Sequence, residues 1–229
     1  MSFAGLPKDY FIFFEELKAN NNREWFETNK PRYKESVQAP LLAFVEAMAP
    51  RLKKISRHIV ADPRPNGGSV FRIYKDVRFS KDKKPYKEHG GVQFRHARGK
   101  NAHAPGFYVH LSPDEVFFGG GVWMPEAPAL LKIREAIRDK GKAWEKATTS
   151  PAFVTRFGSI RGDGLTRPPR GFDAGHPQIE DIKRKTFFAM AQGSRKAATG
   201  ARFLDDVEAA FVDAKPLMKF LCDAVDAPF

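Results

Sequence analysis

The chain has 229 residues, of which 42% are hydrophobic, 13% aromatic and 29% charged, and 21 residues are phenylalanine. This composition supplies enough apolar surface for a packed core and excludes wholesale disorder. Thirty-nine Lys and Arg residues outnumber 27 Asp and Glu residues, which gives a net charge of +12 and a pI near 9.8. Such a balance favours anionic partners, among them nucleic acid, lipid surfaces and phosphorylated ligands.

The single cysteine, Cys222, excludes an internal disulfide and a cysteine-rich metal cluster, and it fits a reducing compartment. The apolar run at residues 10–14 is too short for a signal peptide or a membrane span, and two glutamates follow it. Residues 116–125 form the longest uncharged apolar stretch, but three glycines and a proline within it predict a strand and a turn. We therefore expect a cytoplasmic protein with no membrane association.

Residues 1–60 predict helices, because their apolar side chains recur at helical spacing. Asp9 and Asn22 are the candidate N-caps of the first two helices. Pro40 and Pro50 are expected to break or kink the helical segment that follows.

Residues 61–124 predict an antiparallel sheet that follows a loop rich in proline and glycine. Segments with many β-branched and aromatic residues predict strands at 70–77, 91–96, 107–111 and 116–123. The turn-forming sequence at 112–115 predicts a hairpin between the last two strands.

Residues 125–229 are predicted to be mainly helical, with a basic loop at 161–177 that is rich in glycine and proline. Short helices are predicted around 179–191 and a longer one at 202–225, where Pro216 should introduce a kink. Helices that precede and follow a run of strands indicate an α+β fold. We expect one domain, residues 1–229, with a central antiparallel sheet at about residues 69–123 flanked by N- and C-terminal helices.

The positive charge is concentrated in residues 71–100, where ten basic and three acidic residues give a local net charge of +7. Alternation along the predicted strand places Arg72, Tyr74, Asp76 and Arg78 on one face. Two interpretations remain open. The aspartate and the two arginines form either a structural ion-pair ladder, or a site in which Asp76 positions two guanidinium groups with spare donors for phosphate or carboxylate.

The run RIYKDVRFSKDKKPY at residues 72–86 resembles the hallmark of domain-of-unknown-function family 2461, a group of uncharacterised, mainly bacterial proteins. The hallmark positions are Arg72, Lys75-Asp76, Arg78-Phe79, Asp82-Lys83 and Tyr86, with lysine at position 75 in place of the commoner arginine. Other parts of the chain also resemble the family, at residues 21–30, 119–123, 167–172 and 176–177. The resemblance spans essentially the whole chain and implies no activity or cofactor.

The candidate ligand-binding residues surround this hallmark: Arg72, Asp76, Arg78, Lys83, Tyr86, Lys87 and Arg170. Lysines 83, 84 and 87 are otherwise explained as a solvated loop. Arg170 joins the site if the loop at 161–177 folds over the charged strand. In that case His176 is the best candidate for a general acid or base, and Asp76 is a weaker one. As a lone loop histidine, His176 is otherwise structural or exposed.

Two further motifs are interpreted as structural features and not as functional sites. Gly119–Gly121 lacks the Lys-Ser/Thr of a phosphate-binding loop and predicts a bulge or bend. His89, His96, His103 and His110 recur every seven residues, but an odd spacing alternates between the faces of a strand. No metal site and no cofactor are predicted.

Three classes of function follow. The favoured one is binding of a phosphorylated or other anionic small ligand between the charged strand and the 161–177 loop, by a protein that is either an enzyme or a binding protein. The first alternative is a nucleic-acid-binding module that stacks bases on Tyr74, Tyr86 or Phe94. The second is an interaction domain for an acidic protein partner. The sequence names neither the reaction nor the oligomeric state.

Overall fold

The computed structural model describes residues 3–78, 81–99 and 105–229 of the chain. The helices are α1 Lys8–Ala19, α2 Arg23–Tyr33, α3 Ala39–Ile55, α4 Ala127–Asp139, α5 Gly141–Thr149, α6 Pro151–Phe157, α7 Ile179–Ile182, α8 Arg195–Ala198 and α9 Phe203–Ala224. The strands are β1 Ile59–Val60, β2 Gly90–His96, β3 Gly106–Leu111, β4 Val116–Val122 and β5 Phe187–Gln192.

The strands form one five-stranded sheet in the order β1-β2-β3-β4-β5, and every neighbouring pair is antiparallel. Helices precede and follow the strands along the chain. The predicted α+β fold with an antiparallel sheet and terminal helices is therefore confirmed. The hairpin at 112–115 is also present, and the Ser112 backbone N–H donates to the Glu115 carbonyl at 2.9 Å.

The N-terminal helices are tied together by caps and ion pairs. Asn22 caps α2 as predicted, because its side-chain oxygen accepts a hydrogen bond from the Trp25 N–H at 3.0 Å. Asp9 is not an N-cap: it lies in the first turn of α1 and forms an ion pair with Arg32 of α2. The predicted cap is wrong because the N-cap is Pro7, two residues earlier, and α1 begins at Lys8.

A π-helical turn, Lys34–Gln38, joins α2 to α3, so the chain is helical from residue 23 to residue 55. Pro40 has no N–H to donate to the carbonyl of Ser36 four residues earlier, and its ring clashes with that carbonyl in a regular α-helix. The helix widens instead, and the Ala39 N–H bonds to the Lys34 carbonyl five residues before it. Pro50 lies inside α3 without ending it.

Two predicted elements differ from the structure. Residues 70–77 form no strand of the sheet; only Val70 and Tyr74 make isolated β-bridges. The helix predicted up to residue 191 is wrong, because Phe187–Gln192 is the edge strand β5. Its alanines and methionine favour helices in isolation, but pairing with β4 overrides this local preference.

The two faces of the sheet have different environments. On the first face, side chains such as Val92, Phe94, Phe107 and Val109 are fully buried. Helix α9 covers this face, where Phe211 stacks on Phe107 with ring centroids 4.3 Å apart. On the second face the alternate residues of β3, β4 and β5 are largely half-buried: Tyr108, His110, Phe117, Gly121, Phe188 and Met190.

The buried apolar side chains belong to one cluster that includes residues of the N-terminal helices, the sheet and α9. Within residues 3–78, 81–99 and 105–229, no helix is both long and apolar enough to cross a membrane.

Gly120 is required by the close approach of α9 to β4. A Cβ atom there would lie 2.7 Å from Cδ1 of Phe107 and 2.9 Å from Sδ of Met218. Pairing with β3 and β5 is continuous through Gly119–Gly121, so the predicted bulge is wrong, and at Gly120 the glycine serves packing instead.

We expect Gly120→Ala to lower the free energy of unfolding by about 1–3 kcal/mol, because the added methyl overpacks a filled core. Urea unfolding measures this change. Gly175→Ala is the matched control, since a Cβ there would meet nothing closer than 3.6 Å. Equal stability of the two variants would contradict this account of Gly120.

Candidate functional site

The charged segment, residues 70–78, runs beside the edge of β2 and keeps the predicted alternation. The Phe71 N–H donates to the Gly91 carbonyl at 2.9 Å, and the Lys75 N–H donates to the Pro85 carbonyl at 2.9 Å. Between these contacts the pairing jumps from Gly91 to Lys87, whose N–H donates to the Ile73 carbonyl at 2.8 Å. This jump explains why the segment is extended without forming a continuous strand.

The predicted polar face of this segment lies in solvent. Arg72, Tyr74, Asp76 and Arg78 are all exposed, whereas Ile73 between them is buried. Phe79, which sequence alternation places on the opposite face, lies outside the described residues.

Asn21, at the junction of α1 and α2, fixes the neighbouring segment 85–88. Its side-chain oxygen accepts a hydrogen bond from the Tyr86 N–H at 3.1 Å, and its amide donates to the Tyr86 carbonyl at 3.0 Å. The amide also donates to the Glu88 carboxylate at 2.9 Å. Tyr86 in turn makes the β-bridge with Tyr74 in the charged segment.

Asp76 pairs with Arg78 and not with Arg72. The Asp76 carboxylate accepts hydrogen bonds from Nε and Nη2 of Arg78 at 3.0 and 2.7 Å, and from its backbone N–H at 3.2 Å. The side-chain hydrogen bond from Arg78 is the largest cause that lowers the pKa of Asp76 to about 2. Among the described residues, no hydrogen bond joins the Arg72 guanidinium to Asp76; its charge makes only a small contribution.

The same Asp-x-Arg pairing occurs at Asp62 and Arg64, where the carboxylate accepts from the Arg64 backbone N–H, Nε and Nη2. Two exposed copies of one local geometry indicate that the pair at Asp76 and Arg78 follows from sequence spacing. The structure thus agrees with the ion-pair interpretation for Asp76 and Arg78. Arg72 is not part of that pair.

Two of the predicted lysines contact the backbone of the charged segment. Lys83 donates from Nζ to the Val77 carbonyl at 3.2 Å, and Lys87 donates from Nζ to the Arg72 carbonyl at 2.8 Å. The Lys87 ammonium also lies 5.4 Å from the centroid of the Phe71 ring. Burial, followed by the charge of Arg72, lowers the pKa of Lys87.

Tyr86 does not line a ligand site. Its side chain is only 3% exposed and stacks on Phe26 of α2 with ring centroids 4.1 Å apart. The prediction that Tyr86 contacts an anion is therefore corrected: the residue is part of the core, because burying the ring on Phe26 removes its apolar surface from water.

Arg170 and His176 lie on a different part of the molecule from the charged segment. Arg161, at the start of their loop, pairs with Phe188 on the outer edge of β5, and Phe172 lies under the Arg138 guanidinium of α4. The four strands β2 to β5 lie between the charged segment and Arg161. At the usual strand spacing of about 4.8 Å, the five steps across them correspond to about 24 Å. The loop at 161–177 does not close over the charged segment. The backbone N–H of Gln178 donates to Nδ1 of His176 at 3.2 Å.

A cleft between the π-helical turn and the charged segment brings Arg72 together with two other cations. Its volume is ≈ 130 Å³, and Lys30, Lys34 and Arg72 line it together with aromatic and uncharged polar residues: Phe26, Tyr33, Gln38, Asn66, Phe71 and Tyr74. No carboxylate belongs to the described lining. We call this the cationic cleft.

The three cations of the cationic cleft differ in their partners. Lys30 forms an ion pair with Glu27 of the same helix at 2.8 Å. Within the part of the chain that the structure describes, the side chains of Lys34 and Arg72 make no hydrogen bond and no ion pair. Both groups therefore retain donors for a ligand.

Sequence reasoning missed Lys30 and Lys34. Their spacing of four residues placed them on one side of a helix, which was a usable signal. Nothing in the sequence showed that this side of the helix would face Arg72, because that contact depends on how α2 packs on the 85–88 segment.

We expect Asn21→Ala to lower the free energy of unfolding by about 1–3 kcal/mol, because the N–H and carbonyl of Tyr86 lose their partners. Chemical denaturation checks this value. Asn20→Ala is the control, since its amide makes one exposed hydrogen bond, to the Glu16 carbonyl. A loss no greater than that of the control would contradict the role given to Asn21.

Comparison with known proteins gives a family and no activity. A family model described as conserved hypothetical protein (DUF2461) matches residues 9–220. No curated protein matches the chain. Because the match covers nearly the whole sequence, this chain belongs to the DUF2461 family.

Proposed function

We propose that the protein binds a small anion, or the anionic group of a larger small molecule, in the cationic cleft. The observation that carries this proposal is the convergence of Lys30, Lys34 and Arg72 on one cleft whose described lining holds no carboxylate. Lys30 is paired with Glu27, whereas Lys34 and Arg72 are like charges without an ion-pair partner among the described residues, and an anion would offset their repulsion. The proposal keeps Arg72 and the anionic ligand class from the sequence and replaces the other ligand contacts.

The size of the cleft limits the ligand group. Sites for drug-sized ligands usually measure ~300–1,000 Å³. At ≈ 130 Å³ the cationic cleft suits one phosphate, sulfate or carboxylate group. The Arg72 guanidinium supplies parallel N–H donors that match two oxygens of such a group, and the Lys34 ammonium supplies a mobile point charge.

The uncharged lining adds directional contacts. Tyr74 is 46% exposed and borders the cleft beside Arg72. Gln38 and Asn66 contribute amide groups to the lining from the π-helical turn and from the turn before the charged segment. Amide N–H and phenol O–H groups donate to oxyanions without adding charge.

We expect sulfate to bind the wild-type protein at neutral to mildly alkaline pH and low ionic strength, and Arg72→Ala and Lys34→Ala each to weaken binding about 5- to 100-fold. This range corresponds to loss of one charged hydrogen bond. Isothermal titration calorimetry with sodium sulfate measures the affinities. Arg72→Lys should retain part of the affinity, since charge remains and the two-pronged geometry is lost.

Lys142→Ala is the matched control, because it removes one exposed lysine on α5 and lowers the net charge by the same amount. If this control and Arg72→Ala lose the same affinity, the effect arises from net charge and the cleft proposal is wrong.

Nucleic acid is the alternative ligand class, and the structure removes two of its three stacking candidates. Tyr86 and Phe94 are 3% and 0% exposed, so only Tyr74 remains available to a base. Under our proposal, single-stranded oligonucleotides bind more weakly than micromolar at physiological salt. Fluorescence anisotropy at two salt concentrations tests this. Micromolar or tighter binding with a steep salt dependence would favour the nucleic-acid function.

A further inference from the structure

His89 and His110 form a pair of neighbouring imidazoles on the second sheet face, outside the cationic cleft. His110 lies in β3, opposite Gly91 of β2 on one side and Phe117 of β4 on the other. Its ring is parallel to the Phe117 ring within 3°, with centroids 4.5 Å apart, and the His89 ring lies at 4.3 Å. Because β2 and β4 flank β3 on opposite sides, the His110 imidazole is held between two rings.

The two histidines differ in hydrogen bonding. The Tyr108 hydroxyl lies 3.3 Å from Nδ1 of His110, and a carboxylate oxygen of Glu115 lies 3.7 Å from Nε2. Across the described ranges, the ring nitrogens of His89 have no hydrogen-bond partner. His110 is therefore a supporting group, and His89 is the member of the pair that can bind a ligand.

The surroundings hold both imidazoles in the neutral form at pH 7. Burial lowers the pKa of His110 to about 4. Burial, followed by His110 and Lys87, lowers the pKa of His89 to about 4, against a smaller opposite effect of Glu88. The Glu88 carboxylate is engaged by Asn21 and Lys84, so it is already paired.

Among the described residues, no carboxylate forms a hydrogen bond or ion pair with His89, so none would compensate the charge of its protonated form. On its own segment His89 has Lys87 and the already paired Glu88, and from β3 it faces His110. Tyr108 and Glu115 contact His110. The Phe71 ring packs beside Tyr108 with centroids 6.0 Å apart, and the Phe71 centroid lies 5.4 Å from the Lys87 ammonium and 5.9 Å from the Arg95 guanidinium. An anion placed beside His89 would supply the negative charge that stabilises the imidazolium.

We propose that His89, supported by His110, is a proton-coupled binding site for a small oxyanion of the sulfate or phosphate type. When the oxyanion binds, His89 takes one proton from solvent and the resulting imidazolium donates a hydrogen bond to a ligand oxygen, with the charge of Lys87 nearby. No covalent bond forms or breaks. His89 and His110 do not line the cationic cleft, although Lys87 donates to the carbonyl of Arg72, which does.

The experiment uses the Lys34→Ala protein, in which binding at the cationic cleft is weakened, and sodium sulfate, whose charge stays constant across neutral and mildly acidic pH. We expect the sulfate affinity to increase as the pH is lowered below the pKa of His89 in the sulfate-bound protein, by up to about tenfold per pH unit, the value for one linked proton, until the pH reaches the pKa of about 4 in the sulfate-free protein. Calorimetry in two buffers of different ionisation enthalpy measures the proton uptake. His89→Gln in the same background should abolish both the pH dependence and the uptake.

His176→Gln in the same background is the matched control, and it should keep the full pH dependence. A sulfate affinity that does not change with pH in the Lys34→Ala protein would overturn the proposal, as would an unchanged pH dependence after His89→Gln. If the cleft proposal is the one that is wrong, Arg72→Ala will bind sulfate as tightly as the wild-type protein does above neutral pH.

A second measurement keeps the test valid if His89→Gln does not fold. In Lys34→Ala, NMR titration of the His89 imidazole proton without sulfate and with saturating sulfate reports its pKa directly. We expect sulfate to raise this pKa by at least one unit, the signature of an adjacent anion. The same pKa in both conditions would show that sulfate does not bind at His89.

Discussion

The arrangement of the charged residues depends on the hydrogen bonds between the Asn21 side chain and the backbone of Tyr86. The Asn21 amide supplies both a donor and an acceptor. It therefore satisfies the Tyr86 backbone in the way that a neighbouring strand would in a sheet. Tyr86 then bridges to Tyr74, and Lys87 holds the carbonyl of Arg72. The position of Arg72 relative to the lysines of α2 and the π-helical turn is thus set by a side chain at the junction of two helices.

The sheet keeps the basic residues of the chain in separate groups. The charged segment bridges to β2 at Val70, and Arg161 bridges to Phe188 of β5. Charged and irregular segments at both edges also discourage pairing with other chains. The basic residues of the charged segment and those of the 161–177 loop therefore lie beside opposite edges of the sheet.

The sequence predicted those features that local rules decide. The hairpin at 112–115, the cap at Asn22 and the exposure of alternate residues from Arg72 to Arg78 follow from turn chemistry, capping and strand periodicity. The strand β5 was missed because Ala189 and Ala191 carry no β-branched signal, and only the neighbouring β4 makes the segment extended.

The parts of the candidate site that were missed depend on distant contacts. Lys30 and Lys34 line one cleft with Arg72 because α2 packs on the 85–88 segment, where Phe26 stacks on Tyr86 and Asn21 bonds to the Tyr86 backbone. His89 and His110 were set aside on their spacing, which describes a single strand, whereas the β2–β3 register brings them together. Arg170 and His176 were assigned to the site because they are basic, but their loop starts beside β5, at the opposite edge of the sheet.

The π-helical turn at Lys34–Gln38 has a consequence for how this region tolerates changes in length. A π-turn accommodates one residue more than the α-helix needs, so the turn is equivalent to a single inserted residue. Deleting one residue there would restore a regular helix with little change of phase, whereas winding all the present residues as a regular α-helix would rotate everything before the turn by about 100° relative to α3. Lys30 and the core-facing Phe26 would then turn away from their partners while α3 remained packed. The extra residue sets the rotational phase between α2 and α3, and with it the direction in which the lysines point.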